Sequence, residues 1–311
     1  MTDKTTIVPS YPDFTPMDIA LKEILHPRLS LTFDGVSEFT FSGLYLFREK
    51  YNYRISRNGA DGGFIISGEQ PSSDSKTFFM TPCDVPEHET LLSLFASHDY
   101  WKNVSDTVLK KCMSSPVKEA LDENNIIMEE DRDNFDYLYT RQSLAELSGK
   151  KFHKKKNHVN NFLNSYTDHE QRPMSRELIP AAMEVLERWR HDHIQRSGTE
   201  GDYKAAKEAL ELFDSLTLRG TIFFVNGKPA AWCLGESICR GKMFAIHFEK
   251  AIDEYRGIYQ FMNQAFAESL PRFFTLINRE QDLGNEGLRQ AKMTYRPCGF
   301  VQKYTGKRSK L

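Results

Sequence analysis

The spacing of hydrophobic and polar residues predicts alternating helices and strands in the first half of the chain. Apolar residues recur at three- and four-residue intervals in four segments, which predicts helices over 14–25, 39–50, 87–97 and 106–124. Shorter apolar or alternating runs predict strands over 51–57, 63–67, 76–80 and 100–104. The segments 126–128 and 134–139 are predicted to pair with each other as strands. Turn residues at Asn58-Gly59 and over 72–75 separate the strands.

The second half repeats this order of elements. Helical spacing predicts helices over 175–195, 202–216, 256–270 and 286–295. Strands are predicted over 221–225, 229–237, 242–251, near 276 and over 299–304, and Asn226-Gly227 is a hairpin turn. Each half therefore runs helix, helix, three antiparallel strands, helix, strand, helix, strand. This order favours an α/β (α+β) fold in which mixed sheets are flanked by helices.

The 311-residue chain is long enough for two ordinary domains or one large one. The segment 167–173 is predicted to be a linker, which places one domain at 1–165 and the other at 166–311. The net charge of -2 conceals an asymmetry, because no acidic residue occurs from Gly287 to the C-terminus, whereas seven basic residues do. This excess indicates either an anionic partner or a solvated tail.

A second basic segment interrupts the chain near its middle. Five lysines lie within seven residues and are interleaved with Phe152 and His153: Lys150, Lys151, Lys154, Lys155 and Lys156. A basic helix that carries an aromatic side chain could contact the phosphates of RNA or another polyanion. A solvated basic face is an equally good interpretation of the same residues.

Cysteine and histidine usage excludes several classes of site. The five cysteines form no Cys-x-x-Cys motif, which predicts free thiols in a reducing compartment, here the cytoplasm. No spacing of histidines or cysteines typical of metal ligands is found.

Targeting and membrane segments are not expected either. The first 14 residues lack an apolar core, and no run of about 18 apolar residues occurs, so neither a signal peptide nor a membrane span is expected. The last three residues match a peroxisomal address, but so short a match is common by chance.

A helix near the C-terminus carries the first candidate chemistry. Asn285 is a typical N-cap, and Pro297 disfavours helix at the residue before it. On the predicted helix, Arg289 and Lys292 lie three residues apart on one face, beside the face that includes Tyr295. A polar loop followed by two adjacent cations could hold an anionic or carbonyl-bearing ligand, although exposed surface cations would show the same pattern.

These residues resemble those of a known group of transferases. Gly287-Leu288, Lys292, Tyr295, Pro297 and the closing Lys303-Tyr304 match its C-terminal pattern. The segment 154–162 and the loop 278–284 are also similar. The group is the doubled GNAT fold of the FemABX peptidyltransferases and of the C-terminal domain of phosphatidylglycerol lysyltransferases. The resemblance implies two tandem GNAT-like acyltransferase domains, each with a mixed, largely antiparallel sheet, and the active site in the second.

The resemblance also implies roles for individual residues. Enzymes of this group join an activated acyl group to an amine without covalent catalysis. Lys292 would stabilise the oxyanion, Tyr295 would donate a proton, and Arg289 would lie beside them. Residues implied to bind substrate are His247, Glu249, Asn278, Arg279, Glu280 and Tyr304. Ordinary structural roles remain open for these residues: a core histidine, a packed tyrosine and a surface carboxylate.

The turn at 254–259 bears on the donor. In ordinary GNAT enzymes a glycine-rich turn wraps the pyrophosphate of coenzyme A, but this turn has the single glycine Gly257. Acyl-CoA is therefore disfavoured and no cofactor is expected. The predicted activity is transfer of an aminoacyl group from aminoacyl-tRNA to an amine or hydroxyl of a small molecule, lipid or peptide. The alternatives are an acyl-CoA-dependent N-acyltransferase and a non-catalytic module that binds RNA or another polyanion.

Overall fold

A computed structural model describes residues 8–59, 63–71, 74–114 and 116–309. Part of the predicted turn 72–75 and the last two residues of the peroxisomal-type tripeptide lie outside these ranges. The helices are α1 Lys22–Leu29, α2 Phe41–Leu46, α3 Arg48–Tyr51, α4 His88–Ser97, α5 Asp106–Cys112, α6 Val117–Glu123, α7 Arg141–Glu146, α8 His153–Ser165, α9 Ile179–Ser197, α10 Tyr203–Glu211, α11 Phe213–Leu216, α12 Ile258–Ser269 and α13 Glu286–Met293.

The strands are β1 Thr15–Pro16, β2 Arg54–Asn58, β3 Gly63–Glu69, β4 Thr77–Met80, β5 Tyr100–Ser105, β6 Ile126–Glu130, β7 Asp136–Thr140, β8 His169–Pro173, β9 Arg219–Val225, β10 Lys228–Ile238, β11 Met243–Ala251, β12 Leu276–Asn278, β13 Gly299–Val301 and β14 Lys303–Arg308. Most predicted elements are therefore present, with ends that shift by a few residues. The predicted helix over 14–25 is wrong in its first half, where β1 forms and the helix begins only at Lys22.

The strands form two seven-stranded mixed sheets, with orders β1-β2-β3-β4-β5-β14-β6 and β13-β7-β12-β11-β10-β9-β8. In the first sheet β2, β3 and β4 are antiparallel and β5 is parallel to β4. In the second sheet β9, β10 and β11 are antiparallel and β12 is parallel to β11. The predicted fold, two GNAT-like domains with mixed sheets and flanking helices, is confirmed.

Each sheet also contains a strand from the other half of the chain. The C-terminal strand β14 lies between β5 and β6 of the first sheet, and β7 lies beside β12 of the second. The prediction that 126–128 and 134–139 pair with each other is therefore wrong. Hydrophobic periodicity identifies a strand but not its partner, because the partner is set by packing and register across the whole sheet.

The chain divides into two compact units. The first contains Met1–Asp136, Gln281–Gly284 and Phe300–Leu311, and the second contains Tyr137–Glu280 and Asn285–Gly299. Each unit contains separate segments of the chain, so the units do not test whether a domain boundary lies between residues 165 and 166. That boundary stays a prediction. The linker predicted over 167–173 is wrong, because β8 lies there as an edge strand paired with β9. Its polar, exposed residues are typical of an edge strand and resemble a loop in sequence.

Each unit has its own buried core. In the first, Phe79 stacks on Trp101 and both contact the apolar face of α4. In the second, Trp232 of β10 is fully buried and donates its indole N–H to the Ala182 carbonyl of α9. The helix α9 thereby holds one face of the second sheet. The polar residues described next lie on β10 and β11 and at the C-terminal end of β12.

Candidate active site

A β-bulge in the second sheet sets the position of His247. Leu234 of β10 pairs with Phe248 and Gly235 pairs with Ile246, so His247 is the extra residue on β11. A Cβ atom at Gly235 would lie 1.9 Å from the Ala245 carbonyl oxygen, so only glycine allows this close approach of the strands. Bulges often redirect a side chain at a functional site. Here the bulge directs the imidazole of His247 toward two carboxylates.

His247 lies between Glu236 and Glu280. Its Nε2 is 3.0 Å from Glu236 Oε1 and its Nδ1 is 2.7 Å from Glu280 Oε1. Burial alone would lower the pKa of His247, but hydrogen bonds and charges from the two glutamates outweigh it and raise the pKa to about 10. The ring is therefore an imidazolium at neutral pH that donates from both nitrogens. It cannot act as a general base there.

Glu280 is the member of this trio that reaches solvent. Its side chain is 26% exposed, whereas those of His247 and Glu236 are each 4% exposed. Its backbone has a left-handed φ of 56°, which is uncommon for a residue other than glycine. The buried Asn278 accepts a 2.7 Å hydrogen bond from the Glu280 backbone N–H and so holds the turn in place. Asn278, predicted to bind substrate, thus orients Glu280.

Arg279 and Glu249 form a partly buried ion pair beside two tyrosines. Arg279 Nη2 lies 2.7 Å from Glu249 Oε2. The guanidinium carbon is 5.0 Å from the centre of the Tyr295 ring and 5.9 Å from that of Tyr139. Burial raises the pKa of Tyr295 to about 12, although the positive charge of Arg279 opposes the shift. Tyr295 is therefore a protonated phenol at neutral pH and could donate a proton.

The helix α13 supplies Lys292 to the same group of residues. Asn285 caps this helix by accepting a 2.9 Å hydrogen bond from the Leu288 N–H, as its sequence predicts. Lys292 is the buried residue of α13, and its Nζ donates to the Arg279 carbonyl oxygen. The same Nζ lies 5.6 Å from the centre of the Tyr137 ring. Lys292 thus lies beside the backbone that carries Arg279.

The basic segment divides into two parts. Lys155 is half-buried, and its Nζ lies 4.2 Å from the centre of the Tyr295 ring. Burial, followed by the positive charge of Arg279, lowers the pKa of Lys155. The other four lysines are exposed on the turn Lys150–Phe152 and on α8: Lys150, Lys151, Lys154 and Lys156. One of the five predicted polyanion-binding lysines therefore joins the residues around Tyr295.

The remaining predicted residues are distributed as follows. Arg289 is half-buried on α13. Tyr304 belongs to the first unit, on β14, where its hydroxyl lies 3.4 Å from Gln302 Oε1. Sequence analysis missed Glu236 and Tyr139. Glu236 had a detectable signal, because it is a carboxylate within the otherwise apolar run of β10.

The basic C-terminal segment is also divided by the fold. Lys303 is fully buried in the first unit, where its Nζ pairs with Asp136 Oδ1 at 2.7 Å and with Glu38. Asp136 also accepts hydrogen bonds from Ser37 and Gln281. Lys307 pairs with Glu129 at the surface. Lys303 is therefore part of a buried ion network and is not available to an external anion.

The described residues contain neither a metal-binding cluster nor a helix suited to span a membrane. Within residues 8–309, apart from the short gaps, no cluster of three or more His, Cys, Asp or Glu side chains could hold a metal ion. None of the helices in the same ranges combines the length and apolar character needed to cross a membrane.

Comparison with known proteins places the chain in a family. Residues 31–306 match the family described as phosphatidylglycerol lysyltransferase, C-terminal. A protein of unknown function from Bacteroides thetaiotaomicron superposes with a TM-score of 0.82 and 29% identity, covering 95% of this chain and 99% of that one. The C-terminal domain of a putative lysylphosphatidylglycerol synthetase from Agrobacterium fabrum gives a TM-score of 0.63 with 12% identity, covering 94% and 93%.

An uncharacterized protein of Mycoplasmoides gallisepticum is 24% identical over 179 residues. That match covers 57% of this chain and 57% of the relative, so it spans little more than half the length of either. The family match extends over most of the chain and confirms the resemblance inferred from the motifs. The chain belongs to the phosphatidylglycerol lysyltransferase C-terminal family.

Proposed function

We propose that this protein transfers an aminoacyl group from aminoacyl-tRNA to an amine or hydroxyl acceptor, with the active site in the second unit. The observation that carries the proposal is the Glu236–His247–Glu280 trio, in which the Glu280 carboxylate reaches solvent while His247 and Glu236 are almost completely buried. An aminoacyl group differs from a simple acyl group by its ammonium. A carboxylate held in place by a buried imidazolium is suited to bind that ammonium.

The neighbouring residues can supply the remaining requirements of acyl transfer. The acceptor attacks the ester carbonyl and an oxyanion develops. The ester C–O bond then breaks, the departing ribose oxygen takes a proton, and the proton lost by the acceptor returns to the group that supplied it. Lys292 is proposed to stabilise the oxyanion, and its Nζ already lies at the Arg279 carbonyl. Tyr295 is proposed to protonate the leaving oxygen, since its phenol keeps its proton well above neutral pH.

Two features favour tRNA over coenzyme A as the acyl carrier. Gly257, the glycine of the turn before α12, packs so tightly that a Cβ atom there would lie 2.6 Å from the His158 carbonyl oxygen of α8. The contact with α8 therefore accounts for Gly257, which need not belong to a pyrophosphate-binding turn. The four exposed lysines near α8 would suit the backbone of an RNA donor.

The same lysines also fit the second candidate, a non-catalytic module that binds RNA. A transfer assay separates the two functions. Purified protein is incubated with a mixture of charged tRNAs, or with acetyl-CoA, and with candidate amines, glycerol phosphates and peptides. We expect label to move from tRNA to an acceptor and expect Glu280→Gln to reduce this transfer strongly. Turnover with acetyl-CoA alone would refute the proposed donor, and tRNA binding without transfer to any acceptor would favour the binding module.

A further inference from the structure

Arg279 has more hydrogen-bonding capacity than its surroundings satisfy. Its side chain is 10% exposed, and Glu249 accepts from one nitrogen, Nη2. The other two nitrogens, Nε and Nη1, are buried, and no acceptor among the described residues meets hydrogen-bond geometry with them. These two atoms carry three of the five N–H groups of a guanidinium. Buried charged donors without partners are rare, because leaving them unpaired is unfavourable.

Lys155 brings a second positive charge to the same place. Its Nζ lies over one ring, Tyr295, that the guanidinium of Arg279 also approaches. None of the ion pairs in the described part of the chain involves Lys155, and Arg279 is near enough to repel its charge. Both cations therefore approach one aromatic ring, and only Arg279 has a carboxylate partner, Glu249. An anion that contacted both would be favoured electrostatically.

We infer that Arg279 and Lys155 form a subsite for a phosphodiester group of the RNA donor. The fork of Arg279 N–H groups can bind two oxygens of one phosphate, and Lys155 can contact a third as a point charge. This inference rests on the proposed function, because it assigns the subsite to the carrier of the acyl group. Arg279 is followed directly in the chain by Glu280, to which the proposed function assigns the ammonium.

The test measures binding of the dinucleoside phosphate cytidylyl-adenosine by titration calorimetry at low salt, with cytidine plus adenosine as the phosphate-free control. Lys155→Met keeps the apolar stem and removes the charge, and Lys204→Met, at an exposed lysine of α10, is the control. We expect Lys155→Met to weaken binding about tenfold, as for loss of one charge-assisted hydrogen bond, and Lys204→Met to leave it unchanged.

A second variant guards against misfolding. Arg279→Met alone would leave the partly buried Glu249 without its partner, so it is combined with Glu249→Gln. We expect this double variant to abolish binding while thermal unfolding stays cooperative. Equal affinity in Lys204→Met and Lys155→Met, no preference over the phosphate-free control, or tighter binding of glycerol phosphate than of the dinucleotide would overturn the inference. Binding of the dinucleotide does not require catalysis. If the dinucleotide binds as expected but no aminoacyl group is transferred, only the proposed function is refuted. Unchanged transfer from tRNA by Lys155→Met would refute only the subsite.

Discussion

Because His247 is an imidazolium in the folded protein, we expect the free energy of unfolding to fall as the pH rises above neutrality. Its pKa is raised in the folded state to about 10 from an ordinary value of 6.5. The folded protein therefore binds this proton more tightly than the unfolded chain does. The stabilising contribution is fully present below pH 6.5 and is lost as the pH rises toward 10.

The size of this contribution follows from the shift. Each pKa unit corresponds to roughly 1.4 kcal/mol, so the free energy of unfolding should fall by on the order of 4 kcal/mol between pH 7 and pH 10 because of this group. The His247 side chain is 4% exposed, so solvent screening weakens the interaction little. The loss is a large fraction of the stability of an ordinary domain.

Other buried groups act over part of the same range, so a variant is needed to isolate His247. Burial raises the pKa of the Cys112 thiol to about 12, which also lowers stability above pH 9. The informative variant is the pair Glu236→Gln and His247→Gln, which removes the imidazolium together with one carboxylate. The control is His191→Gln, whose side chain is 70% exposed on α9.

The assay is urea unfolding at fixed temperature and ionic strength, at steps from pH 7 to pH 9.5. We expect the wild-type protein and His191→Gln to lose stability along the same steep curve and the paired variant to follow a flatter one. If all three curves run parallel, the imidazolium does not stabilise the fold in the way described here. A change in the urea dependence itself would show instead that the paired variant no longer folds as the wild type does.

Four further predictions concern activity, RNA binding and folding. Lys292→Ala should lower transfer about 100- to 1,000-fold in a tRNA assay and Lys292→Arg should restore it only in part, because the two cations differ in shape; full activity in the alanine variant would rule out an oxyanion role. Reversing the charge of three of the exposed lysines, Lys150, Lys151 and Lys154, should lower RNA affinity and reduce the slope of affinity against salt by about 0.7–0.9 per lost phosphate contact; an unchanged slope would mean a solvated face. Lys303→Met should destabilise the protein by about 3–5 kcal/mol in urea unfolding, since two buried carboxylates lose their cation, and a loss below about 1 kcal/mol would contradict the buried network. A fragment of residues 166–311 should fail to unfold cooperatively, because it lacks β7 beside β12, whereas a fragment that begins at residue 131 keeps that strand; cooperative unfolding of the shorter fragment would contradict this expectation.

Local pattern was sufficient for most of the elements and for the family. The spacing that predicts α4, α9 and α12 comes from one apolar face per helix, and the Asn226-Gly227 turn fixes the β9–β10 hairpin. Each of these signals is contained within one short stretch of the sequence. The cap at Asn285 is equally local. The residues that match the transferase pattern cluster around α13, so they were visible without any knowledge of contacts.

The tertiary structure decided everything that depends on distant partners. The strand β14, from the second half of the chain, lies in the first sheet, and β7, from the first half, lies in the second sheet. The partner of a strand is set by packing across the sheet and not by the periodicity of the strand itself. Contacts between distant parts of the chain also bury Lys303 between two carboxylates and place Lys155 over Tyr295, although both lysines lie in segments that look uniformly basic in sequence. His247 became an imidazolium only because a bulge opposite Gly235 brings it between glutamates 11 residues before it and 33 residues after it along the chain. A residue's charge state and accessibility are set by groups that reach it through space, and the order of residues in the chain does not contain that information by itself.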